Sequence, residues 1–71
     1  MTRAEITAYL YGTALAHECL SLAAEGRGAE MPTCCFLDGE QQAALEQLGA
    51  ARFGQWIVRG GRDVLAEHGA V

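Results

Sequence analysis

Residues 3–25, RAEITAYLYGTALAHECLSLAAE, decide the fold, because they read as one helix that is apolar around most of its circumference. Ile6, Tyr9, Leu10, Thr13, Ala16, His17 and Leu20 follow helical spacing along one side. Ala8, Leu15, Cys19 and Leu22 follow it along a neighbouring side, leaving a narrow polar seam through Thr7, Tyr11, Ala14, Glu18, Ser21 and Glu25. A surface helix normally buries one stripe, so a helix this apolar needs cover on two flanks, from later segments or from another chain. Thr2 followed three residues later by Glu5 is a capping box that starts the helix. Its alanines favour the helical state, Gly12 is its one weak point, and Gly26 supplies a stop.

Beyond Gly26 the chain breaks into a loop that lasts to Pro32, which pushes Met31 out of helical geometry. Cys34, Cys35, Phe36 and Leu37 are a short apolar run that suits either a buried strand or one helical turn. Asp38 and Gln41 form a second capping box, so a helix is expected from Gly39 to about Leu48. Ala44, Leu45 and Leu48 form its buried edge, Glu40, Gln42, Glu46 and Gln47 face outward, and Gly49 ends or bends it.

The last segment carries the second strong period. Phe53, Trp56, Ile57 and Val64 share one face with Val58 and Leu65 beside it, while Arg52, Gln55, Arg59 and Arg62 fall opposite. The pattern persists across Gly60 and Gly61, so the helix continues through the pair with a kink or break, since each interior glycine costs roughly 1 kcal/mol relative to alanine. The expected fold is therefore all-α, a small bundle of three to four helices around the long N-terminal one. The α+β alternative pairs residues 55–58 with 34–37 as a minimal two-stranded sheet, an arrangement marginal by itself.

Seventy-one residues make a single small domain spanning 1–71. A domain of this size hides only about 60% of the surface its unfolded chain exposes, so a partner or staple would add much to its stability. No run of about 18 apolar residues suggests a membrane span. Glu5 interrupts the start and no long apolar core follows a basic head, so the N-terminus does not read as a signal peptide and the expected location is cytoplasmic. Nine carboxylates stand against five arginines and no lysine, giving a net charge of −4. That balance does not draw the chain to phosphate backbones, so direct nucleic-acid binding is not expected; it favours another protein with a basic surface, and it also serves simple solubility.

Three cysteines and two histidines raise the question of a metal. Paired zinc ligands are usually two to four residues apart so that both can turn to one ion, whereas Cys34 and Cys35 are adjacent and His17 and Cys19 diverge on a helix. The His-Glu-Cys and Pro-Thr-Cys-Cys segments fall short of the zinc-deaminase pattern, which separates its cysteine pair by two residues. No metal and no cofactor are expected. Cys19 reads as a small core hydrophobe, and His17 as a core histidine with a satisfied ring nitrogen. An odd cysteine count in a reducing compartment argues against disulfides, and Cys34 or Cys35 would need an exposed low-pKa thiolate for a redox role. No phosphate loop, dinucleotide fingerprint or nucleophile elbow occurs, so no catalytic residues are assigned.

Two surfaces remain. The first comprises Glu18, Glu25, Glu30, Asp38, Glu40 and Glu46, all in the first two-thirds of the chain with only Arg3 and Arg27 as bases there. The second is the stripe of Arg52, Gln55, Arg59 and Arg62, whose planar guanidinium groups suit carboxylates or phosphates. On the simplest reading Arg59 pairs with Asp63 one turn along and the stripe is merely solvated. In size, acidity and lack of catalytic signatures the chain resembles the small inhibitor proteins of bacteriophages, anti-CRISPR proteins among them. The likeness is one of kind and aligns no residues. It implies a non-enzymatic inhibitor that sets carboxylates against a basic, nucleic-acid-handling partner. The alternatives are a homo-oligomeric structural or regulatory subunit that pairs through the N-terminal helix, and a helix-turn-helix-like nucleic-acid binder that uses Arg52, Arg59 and Arg62. A turn of Gly49 alone is short for the latter.

Overall fold

Thr2 opens the first helix by accepting a hydrogen bond at its hydroxyl from the Glu5 amide (3.2 Å), while the Glu5 carboxylate accepts one from the Thr2 amide (2.7 Å). Two of the donors that a helix start leaves orphaned are thereby satisfied. The computed structural model describes residues 1–30 and 36–69, and in it this helix, α1, spans Arg3–Ala24. It closes on Gly26 at φ 76°, with the Gly26 amide bonded to Ala23 O and the Arg27 amide to Leu22 O. That double closure requires a left-handed residue, which glycine supplies without strain.

Asp38 starts α2 (Gly39–Leu48) with the same reciprocal device, its carboxylate accepting from the Gln41 amide (2.8 Å) and the Gln41 side chain from the Asp38 amide (2.9 Å). Gly49, at φ 82°, is the single residue between α2 and α3 (Ala50–Glu67). The third helix runs unbroken through Gly60 and Gly61, and residues 55–58 lie inside it. No strand occurs among the described residues, so the architecture is a three-helix, all-α one. The strand proposed for residues 34–37 falls partly outside the described residues; of the four, Phe36 and Leu37 are described and are not strand.

Contacts between α1 and α3 advance along both helices in the same sense, from Glu5 with Arg52, through Gly12 against Ile57, to His17 beside His68. The two are therefore parallel. The shorter α2 begins beside Thr7, Leu10 and Tyr11 and ends toward Arg3 and Ala4, antiparallel to α1. Ala4, Ala8, Ala44 and Phe53 form the buried centre, with Leu37, Leu45, Leu48, Trp56 and Ile57 packed on it. Tyr11 stacks on Phe53 with ring centroids 6.1 Å apart, and Leu22 and Val64 are buried further along. Burying an aromatic or branched side chain contributes about 1.5–3 kcal/mol, and few large side chains here are fully covered.

What lets α1 accept two neighbours is the smallness of its buried face. Gly12 lies against the backbone of Ile57, and Gly60 against the carbonyl of Tyr9 and the amide of Thr13. A side chain at either position would have no room, so both glycines set how closely α1 and α3 approach. The break expected at Gly60 and Gly61 is corrected accordingly: α3 is continuous there, and Gly60 is a contact surface within it.

Three further expectations for α1 are corrected. Tyr11, assigned to the polar seam, is buried against Phe53, whereas His17 and Cys19, assigned to the core, are exposed. Packing follows the small residues Ala4, Ala8 and Gly12, and this rotates the buried side away from the largest apolar side chains. Ile6 and Leu10 consequently remain on the outer face, 41% and 56% exposed.

Candidate interaction surfaces

The acidic set is distributed over three sites by the turn chemistry and ion pairs around it. Arg27, just past the end of α1, clamps Glu30 with two parallel hydrogen bonds, from Nε (2.6 Å) and Nη2 (2.8 Å), and reaches Glu25 through Nη1 (3.0 Å). This holds the Glu30 carboxyl below its ordinary pKa and raises that of Arg27, for which Glu30 is the larger cause and Glu25 the smaller. Asp38 is engaged as the cap of α2. Glu40, in the first turn of that helix, pairs with Arg3 at the start of α1 and raises the pKa of the arginine. Glu46 is exposed toward the other end of α2, and Glu18 is half-buried midway along α1. The structure thus brings Glu25 and Glu30 together, places Asp38, Glu40 and Glu46 on one helix, and leaves Glu18 apart.

A second feature runs along the cleft between α1 and α3, where parallel packing sets side chains of the two helices side by side. Arg52 Nη2 donates to Glu5 Oε2 (3.2 Å) and Tyr9 Oη donates to Asp63 Oδ2 (2.5 Å). The Glu5 carboxyl lies below its ordinary pKa, chiefly because it accepts from the Thr2 backbone, with the Thr2 side chain and Arg52 adding to the effect. Tyr9 is held above the ordinary phenol value, first by its bond to Asp63 and then by lost solvation. Arg59, expected to pair with Asp63, instead lies over the Trp56 ring, 5.1 Å from its centroid. The reason is geometric: Asp63 faces α1 and is taken by Tyr9, while Trp56 presents a ring face to the guanidinium.

These links across the cleft were not legible beforehand. Tyr9 and Asp63 are 54 residues apart in sequence, and only the parallel arrangement of their helices joins them. The remaining stripe residues, Gln55 and Arg62, point outward with Val58 between them, and Arg62 has no ion-pair partner among the described residues.

Among the described residues the ligand-type side chains do not gather. His17 and His68 meet edge to face with ring centroids 5.8 Å apart, joining the later part of α1 to the C-terminal cap of α3. Cys19 is exposed, and Cys34 and Cys35 lie outside the described residues. Among the described residues no three histidine, cysteine, aspartate or glutamate side chains converge as a metal site, and no helix is long and apolar enough to cross a membrane. Compared with protein-family models, with curated proteins and with solved structures, the chain matches none.

Proposed function

We propose that this chain is a protein-binding module that works by occupying a basic surface on another protein, in the manner of a small acidic inhibitor of a nucleic-acid-handling complex. The observation that carries the reading is the segregation of charge. Residues 1–49 hold seven carboxylates against two arginines, whereas residues 50–71 hold two carboxylates against three arginines. The acidic part includes α2, a twice-bonded capped helix that gives the core one buried residue, Ala44, and turns Glu40, Gln42, Ala43, Glu46 and Gln47 outward. Complementary charge of this kind speeds encounter and selects partners more than it adds affinity. The likeness to phage inhibitors, anti-CRISPR proteins included, belongs to the same proposal and rests on size and charge.

The test is charge reversal on α2. The chain and its Glu40→Arg/Glu46→Arg variant are immobilised in parallel, and basic proteins retained from a host extract at low salt are identified and then titrated as purified proteins. A partner held by the parent chain and released at least tenfold more readily by the variant supports the proposal; equal affinity for both refutes it.

A second reading is favoured by one specific observation, the exposed Ile6 and Leu10 one turn apart on α1. Flanks of α1 are covered by α2 and α3, and this pair is what remains for a second copy. Light scattering at rising concentration decides it: a dimer abolished by Leu10→Glu supports self-association, and a strict monomer eliminates it.

A further inference from the structure

The outward face of α3 has a shape and a charge that the acidic reading does not use. Gly54, Val58 and Arg62 form one row at steps of four along the helix, and Gln55, Arg59 and Asp63 form the next. Between and above these rows lies an open hollow of about 570 Å³ lined by those six residues. Gly54 gives it a low floor, since nothing lies within 4 Å of where a Cβ would stand. Val58 is 52% exposed in its middle. Rows spaced by four are ridges, and between them lies a groove into which a ridge of another helix fits.

We infer that this groove receives an amphipathic helix of a partner protein, one that lays an apolar ridge over Gly54 and Val58 and sets carboxylates against Arg59 and Arg62. Charge complementarity selects that occupant. Arg62 has no ion-pair partner among the described residues, and Arg59 is held in place over Trp56, so less side-chain freedom is lost when it binds an anion. The carboxylate of Asp63 is turned to Tyr9 and neutralises neither arginine by direct contact. An uncovered apolar centre with arginine at its edge is the composition of protein interfaces.

The same observations argue against two other occupants. A second copy related by a two-fold axis would bring Arg59 and Arg62 of both chains into one interface, four like charges against two carboxylates already engaged. A nucleic-acid backbone would gain little from two arginines beside a valine and an aspartate, because its affinity scales with the number of phosphates neutralised.

The experiment uses the full chain and two fluorescent synthetic helical peptides that share one leucine ridge and differ only in flanking residues, glutamate in one and lysine in the other. Anisotropy titration is expected to show binding of the glutamate peptide at least tenfold tighter than the lysine peptide. Arg59→Glu/Arg62→Glu is expected to invert that preference, and Gly54→Leu, which fills the groove, is expected to weaken the glutamate peptide with the circular dichroism spectrum unchanged. No binding of the glutamate peptide up to about 1 mM overturns the inference. So does equal binding of both peptides, an unchanged preference in the arginine variant, tighter binding of random duplex DNA than of the glutamate peptide at the same salt, or a dimer that Val58→Asp dissolves. Because Glu40 and Glu46 lie on α2, failure of their charge-reversal test leaves this result untouched, and the converse holds.

Discussion

Substituting the glycines of α1 and α3 by alanine one at a time measures the helix crossing directly, because the same chemical change must act with opposite signs. A Cβ at Gly12 would stand 2.1 Å from the Ile57 carbonyl oxygen and 2.8 Å from its C and Cα. At Gly60 it would stand 2.2 Å from the Tyr9 oxygen and 3.1 Å from the Thr13 nitrogen. Favourable contact between such atoms begins near 3.5 Å, so each alanine must drive the helices apart by about 1 Å. Backbone faces the new atom on both sides, and no side chain can swing away. Forced repacking costs about 1–3 kcal/mol in general and about 2–3 kcal/mol where rigid backbone must yield, and it is offset by about 1 kcal/mol of gained helix propensity. A net loss of roughly 1–2 kcal/mol follows, and at 4–8 °C per kcal/mol for a domain of this size it lowers Tm by about 5–15 °C.

Gly54 and Gly61 are the controls. Gly54 has open space and Gly61 would make ordinary contacts, the nearest at 3.8 Å to the Gly12 oxygen, so alanine at either should raise stability by up to about 1 kcal/mol. Urea unfolding followed by circular dichroism reads all four, with an unchanged slope showing that the surface exposed on unfolding is the same in each. The double variant Gly12→Ala/Gly60→Ala should lose less than the sum of the singles, since helices already parted by one alanine have room for the other. If Gly12→Ala or Gly60→Ala unfolds at the same or higher urea concentration than the parent chain, the close crossing of α1 and α3 is wrong.

Asp38→Ala removes the cap of α2 and should cost about 1 kcal/mol in the same unfolding assay, while Asp38→Asn, which still accepts from the Gln41 amide, should cost much less. Glu5 binds its proton less readily in the folded chain, so its stabilisation is complete above its ordinary value of 4.5 and is lost as pH falls through the lowered folded value; Glu5→Gln should flatten the acid limb of a stability-against-pH curve. Tyr9 has the opposite sign: its contribution is complete below the ordinary 10.0 and is lost as pH rises through the raised value, so Tyr9→Phe should flatten the alkaline limb and remove a phenolate absorbance transition lying above the ordinary value. Arg27→Ala breaks the exposed clamp on Glu25 and Glu30 and should leave the urea midpoint nearly unchanged, with the Glu30 carboxyl returning toward its ordinary value in a nuclear magnetic resonance titration.

Local chemistry was legible in the chain and contact chemistry was not. Thr2 with Glu5 and Asp38 with Gln41 locate two helix starts because each capping box is complete within four residues. Gly49 separates two helices for an equally local reason, its positive φ. The face of α1 was harder, because hydropathy offers little contrast around a helix with apolar residues on most sides. Sterics made the choice: Gly12 and Ala8 admit a neighbouring backbone, so they and Tyr11 turned inward while Leu10, His17 and Cys19 turned out. Read as a weakness in the helix, Gly12 concealed its part in the packing, and Gly60 did so for the same reason.

The charged residues teach a related point. A count of carboxylates locates an acidic half but not an acidic surface, since Glu25, Glu30, Asp38 and Glu40 each have a partner within the chain. These pairs are exposed and contribute little to stability, so a basic partner can displace Arg3 or Arg27 at small cost. The engaged carboxylates therefore remain usable, although a partner must compete for them, whereas Glu46 is open to solvent. The proposed binding surface would discriminate: a lone lysine would gain little by replacing an arginine already clamped on Glu30, and an extended basic surface would gain by meeting several carboxylates together. Salt sharpens the distinction. Raising ionic strength weakens the internal pairs and the partner contacts alike, so affinity should fall less steeply with salt than the number of carboxylates suggests, and Arg27→Ala should steepen that dependence by freeing Glu25 and Glu30. An unchanged salt slope in Arg27→Ala would exclude that end of α1 from the interface.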